Sequence, residues 1–173
     1  MDFIFHYIKN PYIILTTDLK SISIWNSLLA ILLGSIATGS MIGNINVIFI
    51  LALFICLLTL TLLNAITIDF VAQLLSKKTN SISLFKGLAL SLLFILFLKP
   101  IQLLEIYLSS GIITLLYLCC IGYISHIQCK TIQVTYNIRG ITANLLWVMP
   151  SLLSIGSIIA ITILLSQLIS PFI

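Results

Sequence analysis

Apolar residues occur along this chain in long unbroken runs rather than at alternating positions. Five runs approach or exceed the roughly 20 residues that a helix needs to cross a bilayer: about 22–43, 47–70, 82–98, 111–132 and 145–169. A barrel strand would alternate polar and apolar residues, and these runs do not. The pattern predicts an all-α fold. It is an integral membrane helical bundle of five transmembrane helices over residues 22–170, preceded by a short N-terminal interfacial segment at 1–21.

The opening segment mixes Phe3, Ile4, Phe5, Tyr7 and Ile8 with Asp2, Lys9, Asp18 and Lys20, and Pro11 interrupts it. It is too polar to span. An acid at position 2, a short apolar run and no small-residue cleavage site argue against a secretory signal. The segment is expected to lie at headgroup depth, with a helix over about 12–19. Trp25 is then an interfacial anchor, Asn44 and Asn46 mark a tight turn, and Ser76 to Ser81 forms a polar, basic loop. Lys99 and Pro100 are expected to end the third span, because proline lacks a backbone donor and the charge favours water. Residues 101–110 then form a short connection.

Composition agrees with this solvent. The chain of 173 residues is 61% hydrophobic and only 7% charged, with a mean hydropathy of +1.27, against roughly 25% charged in a soluble domain. A water-soluble domain is excluded, as is a disordered chain, which needs high charge and low hydrophobicity. Cys56, Cys119, Cys120 and Cys129 form no metal-like pair and read as small apolar packing residues.

Charge adds an orientation. Five spans put Lys9, Lys20, Lys77, Lys78, Lys86, Lys130 and Arg139 on one face, seven of the eight basic residues, and leave Lys99 on the other. Basic residues are retained in the cytoplasm, so the N-terminus is expected inside and the C-terminus outside. The net charge of +4 then reflects topology and contact with anionic lipids at the cytoplasmic face, not a nucleic-acid surface.

Few residues offer chemistry. Asp69, near the inner end of span two, and His126, near the end of span four, are the candidate intramembrane polar site. Asp69 reads either as a proton or cation site or as a boundary carboxylate paired with Lys78, Lys86 or water. His126 reads as a titrating group or as a hydrogen-bonded packing residue. Glu105 is expected near Lys99. No catalytic, cofactor-binding or metal-ligating pattern is present: a phosphate-cradling glycine loop, HExxH and GxSxG are all missing from the sequence. Ser35, Gly39 and Gly43 recur every four residues on span one, and Gly156 and Ala160 do so on span five. Such spacing lets helix backbones pack closely, within the bundle or in a homo-oligomer. Pro150 would kink or start span five.

Three stretches carry a resemblance to a family. They are HYIKNPYIILTTDLKSISIW before span one, AITIDFVAQLLSKKTNSISLFKGLALSLL at the join of spans two and three, and YISHIQCKTIQVTYNIRGITANLLWVMPSLL, with Arg139, Ala143 and Pro150. Together they resemble the Yip1 family of five-span membrane proteins, in its bacterial form with a short N-terminal region. Asp69 stands where many bacterial members have histidine. The resemblance implies residence in a membrane, here the bacterial inner membrane.

Two functions follow as expectations. One is a non-enzymatic scaffold or partner-binding subunit acting through helix and lipid contacts. The other is a small transporter or channel subunit with a path near Asp69 and His126.

Overall fold

The computed structural model describes residues 2–17, 19, 21–43, 46–75 and 77–152. Among them every regular element is helical. Four helical stretches are long and apolar enough to cross a membrane: Ile24–Ile42, Val47–Leu74, Ser81–Ile106 and Ser110–Tyr136. A shorter apolar helix, Gly140–Leu152, follows. The expected fifth span begins within that helix, and its course past residue 152 lies outside the described residues, as do Gly156 and Ala160.

The N-terminal segment is two helices, α1 (Asp2–Lys9) and α2 (Pro11–Thr17). Proline suits a first helical position, where its missing N–H would have no partner, so the chain breaks before Pro11 and restarts there. The segment has one face against the bundle. Tyr7, Ile14, Leu15, Leu19 and Ile22 are buried with Ala30, Leu90, Leu93, Phe94 and Ile127. Tyr12 and Ile13 remain exposed. Its apolar residues therefore find protein as well as an outer face. Burial pushes the Tyr7 phenol well above its ordinary range.

Helix α3 (Ile24–Ile42) starts where the Ser23 side chain accepts a hydrogen bond from the Trp25 N–H at 3.2 Å. It ends at Gly43, whose φ of 79° is left-handed and whose N–H returns to the carbonyls of Gly39 and Ser40. Glycine takes that conformation without a Cβ penalty. Gly43 was expected to pack against another helix, but it faces open space. Its role is to stop the helix. Gly39 and Ser35 are buried as expected.

Asn46 caps α4 (Val47–Leu74), accepting from the Ile48 N–H at 3.0 Å. This helix runs beyond the expected residue 70 and is apolar all round. Only 6% of its most apolar window is buried, against 56% for Ser81–Ile106, which makes the latter the central helix. Cys56 on α4 and Cys119 are exposed, so these two do not pack inside the bundle.

The central run begins as α5 (Ser81–Ser91), tightens to a 3-10 stretch at Leu92–Phe97, and resumes as α6 (Leu98–Leu103), with a last 3-10 turn at Leu104–Ile106. The Ser91 hydroxyl donates to the Leu88 carbonyl at 2.6 Å, a back-bond that competes with the regular ladder and bends helices. Pro100 falls in the first turn of α6, where a missing donor costs little. Helix therefore continues past Lys99 and Pro100, where the third span was expected to stop.

Gly87 lets this central helix touch α7 (Ser110–Tyr136): a Cβ there would collide with the Thr131 side chain. α7 runs past the expected residue 132 and ends at Asn137, a left-handed residue with φ 49°. The shorter helix α8 (Gly140–Leu152) packs back on the core through Ala143 and Leu146. Pro150 is buried well inside α8, so it does not start that helix.

Candidate functional site

Asp69 is 5% exposed although it lies only five residues before the end of α4. Its position on that helix turns it inward, beside Ala65, Ile68 and Ala72. Three donors reach its carboxylate. The Tyr136 hydroxyl, from the end of α7, donates to Oδ1. The Asn80 backbone N–H, just before α5, donates to the same oxygen at 2.9 Å. The Gln73 side chain, one turn along α4, donates to Oδ2 at 3.1 Å. A buried carboxylate costs several kcal/mol unless it is hydrogen-bonded, and here a phenol, a peptide and a carboxamide supply the bonds. None of these donors is the Lys78 ammonium that the boundary-carboxylate reading offered. The site is a clamp holding the ends of three helices together.

His126 is elsewhere. It is exposed on α7, with its ring edge-on to Tyr12 of α2 at 6.0 Å between centroids. Ten residues, about 15 Å of helix, separate it from Tyr136, the partner of Asp69. The structure does not bring the two candidate residues together.

A second polar group crosses the middle of the bundle. Gln128 on α7 donates to the Ser91 hydroxyl at 3.0 Å and accepts from the Trp147 indole N–H at 2.8 Å. Beside it a cavity of about 240 Å³ opens between α4, the central helix, α7 and α8, with Thr61, Asn64 and Ser151 also on its wall.

Lys99 and Glu105 do not meet as expected. Lys99 Nζ donates to the Ser40 carbonyl at 2.8 Å and to Gln102 at 3.1 Å. Glu105 accepts from the Tyr117 hydroxyl at 3.3 Å.

Among the described residues no group of three histidine, cysteine, aspartate or glutamate side chains converges to hold a metal ion. The arrangement offers hydrogen-bonded clamps and clefts instead. Sequence reasoning found Asp69 but not Tyr136, Asn80 or Gln73. The spacing of Asp69 and Gln73 by four residues was the one readable signal, since such residues share a helix face. Ser91, Gln128 and Trp147 were visible only as isolated polar positions in apolar runs. No family model matches the chain, no curated protein matches it, and no solved structure does.

Proposed function

We propose that this chain is a non-enzymatic multi-pass membrane protein of Yip1 type that works as a scaffold or partner-binding subunit. The observation that carries the reading is the distribution of burial. Only 6% of the apolar window on α4 and 11% of that on α7 is buried, while Asp69 of α4 and Gln128 and Tyr136 of α7 are drawn into internal clamps. Such helices turn a broad apolar face outward for lipid or for another membrane helix. The Yip1 part of the proposal rests on the three sequence stretches that resemble the family.

The placement that goes with it is a bacterial inner membrane, with the N-terminus cytoplasmic, five spans and the C-terminus outside. Seven of the eight basic residues support that orientation. A reporter fused after Ile173 should be active outside the cytoplasm; activity only inside overturns the topology.

Purification of the full chain in a mild detergent or in nanodiscs tests the function. A reproducible copurifying membrane protein or lipid is expected, and strictly solitary protein overturns the reading. The transporter alternative has a less favourable geometry, because Asp69 is enclosed by three donors and His126 lies on another part of α7. Solute or ion flux into liposomes that vanished with Asp69→Asn would restore it.

A further inference from the structure

We propose that a cleft at the end of the bundle that carries Asp69 binds a phosphate-bearing anion, either a lipid headgroup or free phosphate. The cleft has a volume of about 490 Å³ and lies between the loop Lys77–Asn80 and the end of α7, at Thr135, Tyr136 and the Asn137 that follows. Ligand pockets of a few hundred Å³ are common, so a glycerophosphate headgroup is within range.

The chemistry of the wall is donor-rich. Lys77 and Lys78 bring ammonium groups, Thr79 a hydroxyl, and Asn80 and Asn137 carboxamides. Thr135 adds an independent signal: its Oγ1 is buried and has no hydrogen-bond partner. A buried hydroxyl left unpaired is costly, and a small rotation of the Thr135 side chain toward the cleft it lines would let a phosphate oxygen supply its acceptor.

The loop is also held in shape before any ligand arrives. Its first residue is tied to α4 by the Lys77 N–H to Ala72 carbonyl bond at 3.1 Å. Its last is tied by the Asn80 N–H to Asp69 at 2.9 Å. The positive end of the α5 dipole begins one residue later. Among the described residues Asp69 is the one acid beside this cleft, and its oxygens are taken by Tyr136, Asn80 and Gln73. Two ammonium groups stand against that single carboxylate. Asp69 acts here as a positioning residue, since both Asn80 and Tyr136 belong to the cleft wall.

The lipid-headgroup form of this proposal rests on the reading of the chain as a membrane protein, placing Lys77 and Lys78 at the lipid–water boundary. The phosphate form does not. The full chain in phosphatidylcholine nanodiscs, with and without phosphatidylglycerol, separates them. Native mass spectrometry reads retained phosphatidylglycerol, and phosphorus NMR reads broadening of added inorganic phosphate. Each lysine near an anionic surface contributes about fivefold, so Lys77→Gln with Lys78→Gln should weaken binding roughly thirtyfold. Thr135→Val should weaken it about fivefold, and Lys77→Arg with Lys78→Arg should restore it. Selective retention of phosphatidylglycerol supports a headgroup, and broadening of inorganic phosphate alone supports the free ion. Equal retention by wild type and the glutamine variant, with no broadening in either, overturns the proposal. A chain that gave this last result yet still copurified with a partner would lose the cleft and keep the scaffold function.

Discussion

The two ends of the bundle solve opposite problems with one charged residue each. At one end the Asp69 carboxylate is buried and collects donors from Tyr136, Asn80 and Gln73. At the other the Lys99 ammonium gives to the Ser40 carbonyl, while Gln102 of the same short helix gives to the Met41 carbonyl at 3.1 Å. About 33 Å of helix separates Val47, near the Lys99 end, from Asp69. The last carbonyls of α3 have no partner inside their own helix, and a cation beside them also suits the negative end of its dipole. Lys99 therefore caps a helix terminus, whereas Asp69 joins separate elements through side chains. The difference lies in what is lost if the charge is removed. The Ser40 carbonyl still accepts from the Gly43 N–H, but the buried Tyr136 hydroxyl loses its acceptor.

The comparison is broken most directly at the buried end. Asp69→Ala strands the Tyr136 hydroxyl and the Asn80 N–H and should cost about 3 kcal/mol, read as a lowered thermal unfolding midpoint in detergent. Gly87→Ala should cost about 2 kcal/mol, because Thr131 is β-branched and has little freedom to move aside. A full-length variant as stable as wild type would show that α5 and α7 separate easily and that the central helix does not hold the ends in place. Tyr136→Phe removes one donor only and should cost about 1.5 kcal/mol. In a double-mutant cycle it should couple to Asp69→Ala by about 1 kcal/mol, whereas Lys99→Met should add to Asp69→Ala within about 0.5 kcal/mol. The smallest effect belongs to Lys99→Met alone, about 0.7 kcal/mol, since the Ser40 carbonyl keeps other partners within reach. A larger loss for Lys99→Met than for Asp69→Ala would reverse the assignment of the two ends.

Much of the helix layout was legible because apolar run length answers a single question. Ile24–Ile42 differs from the expected first span by two residues at its start and one at its end. Val47–Leu74 begins where expected. The third span failed at Lys99 and Pro100, for a physical reason. A lysine beside a proline reads as a water-seeking helix stop, but Lys99 found the Ser40 carbonyl at the end of α3 and Pro100 fell in a first turn. Gly43 was misread similarly: its four-residue spacing with Gly39 matched a packing stripe, while its place at the end of the run made it a left-handed stop. Gly87, which does mark a close helix contact, stands in the same four-residue spacing with Ser83 and Ser91 and was passed over.

The candidate site was half legible. An acid at the end of an apolar run must be paid for somewhere, so Asp69 stood out from the sequence alone. Tyr136 lies 67 residues further on, and nothing in local periodicity links the two. His126 drew attention for its ionisation, yet only its position on α7 shows that it meets Tyr12 and not Asp69.

Sequence by itself determined the helical architecture and the apolar lengths that suit a membrane, where hydrocarbon leaves backbone groups no partner but the helix itself. It also marked the few polar residues that would need partners. Tertiary structure alone decided who those partners are: Tyr136 and Asn80 for Asp69, Ser40 for Lys99, Ser91 and Trp147 for Gln128. Pairing across a bundle depends on the rotation and depth of each helix. Packing at contacts such as Gly87 with Thr131 sets those quantities, and the hydropathy of a run does not.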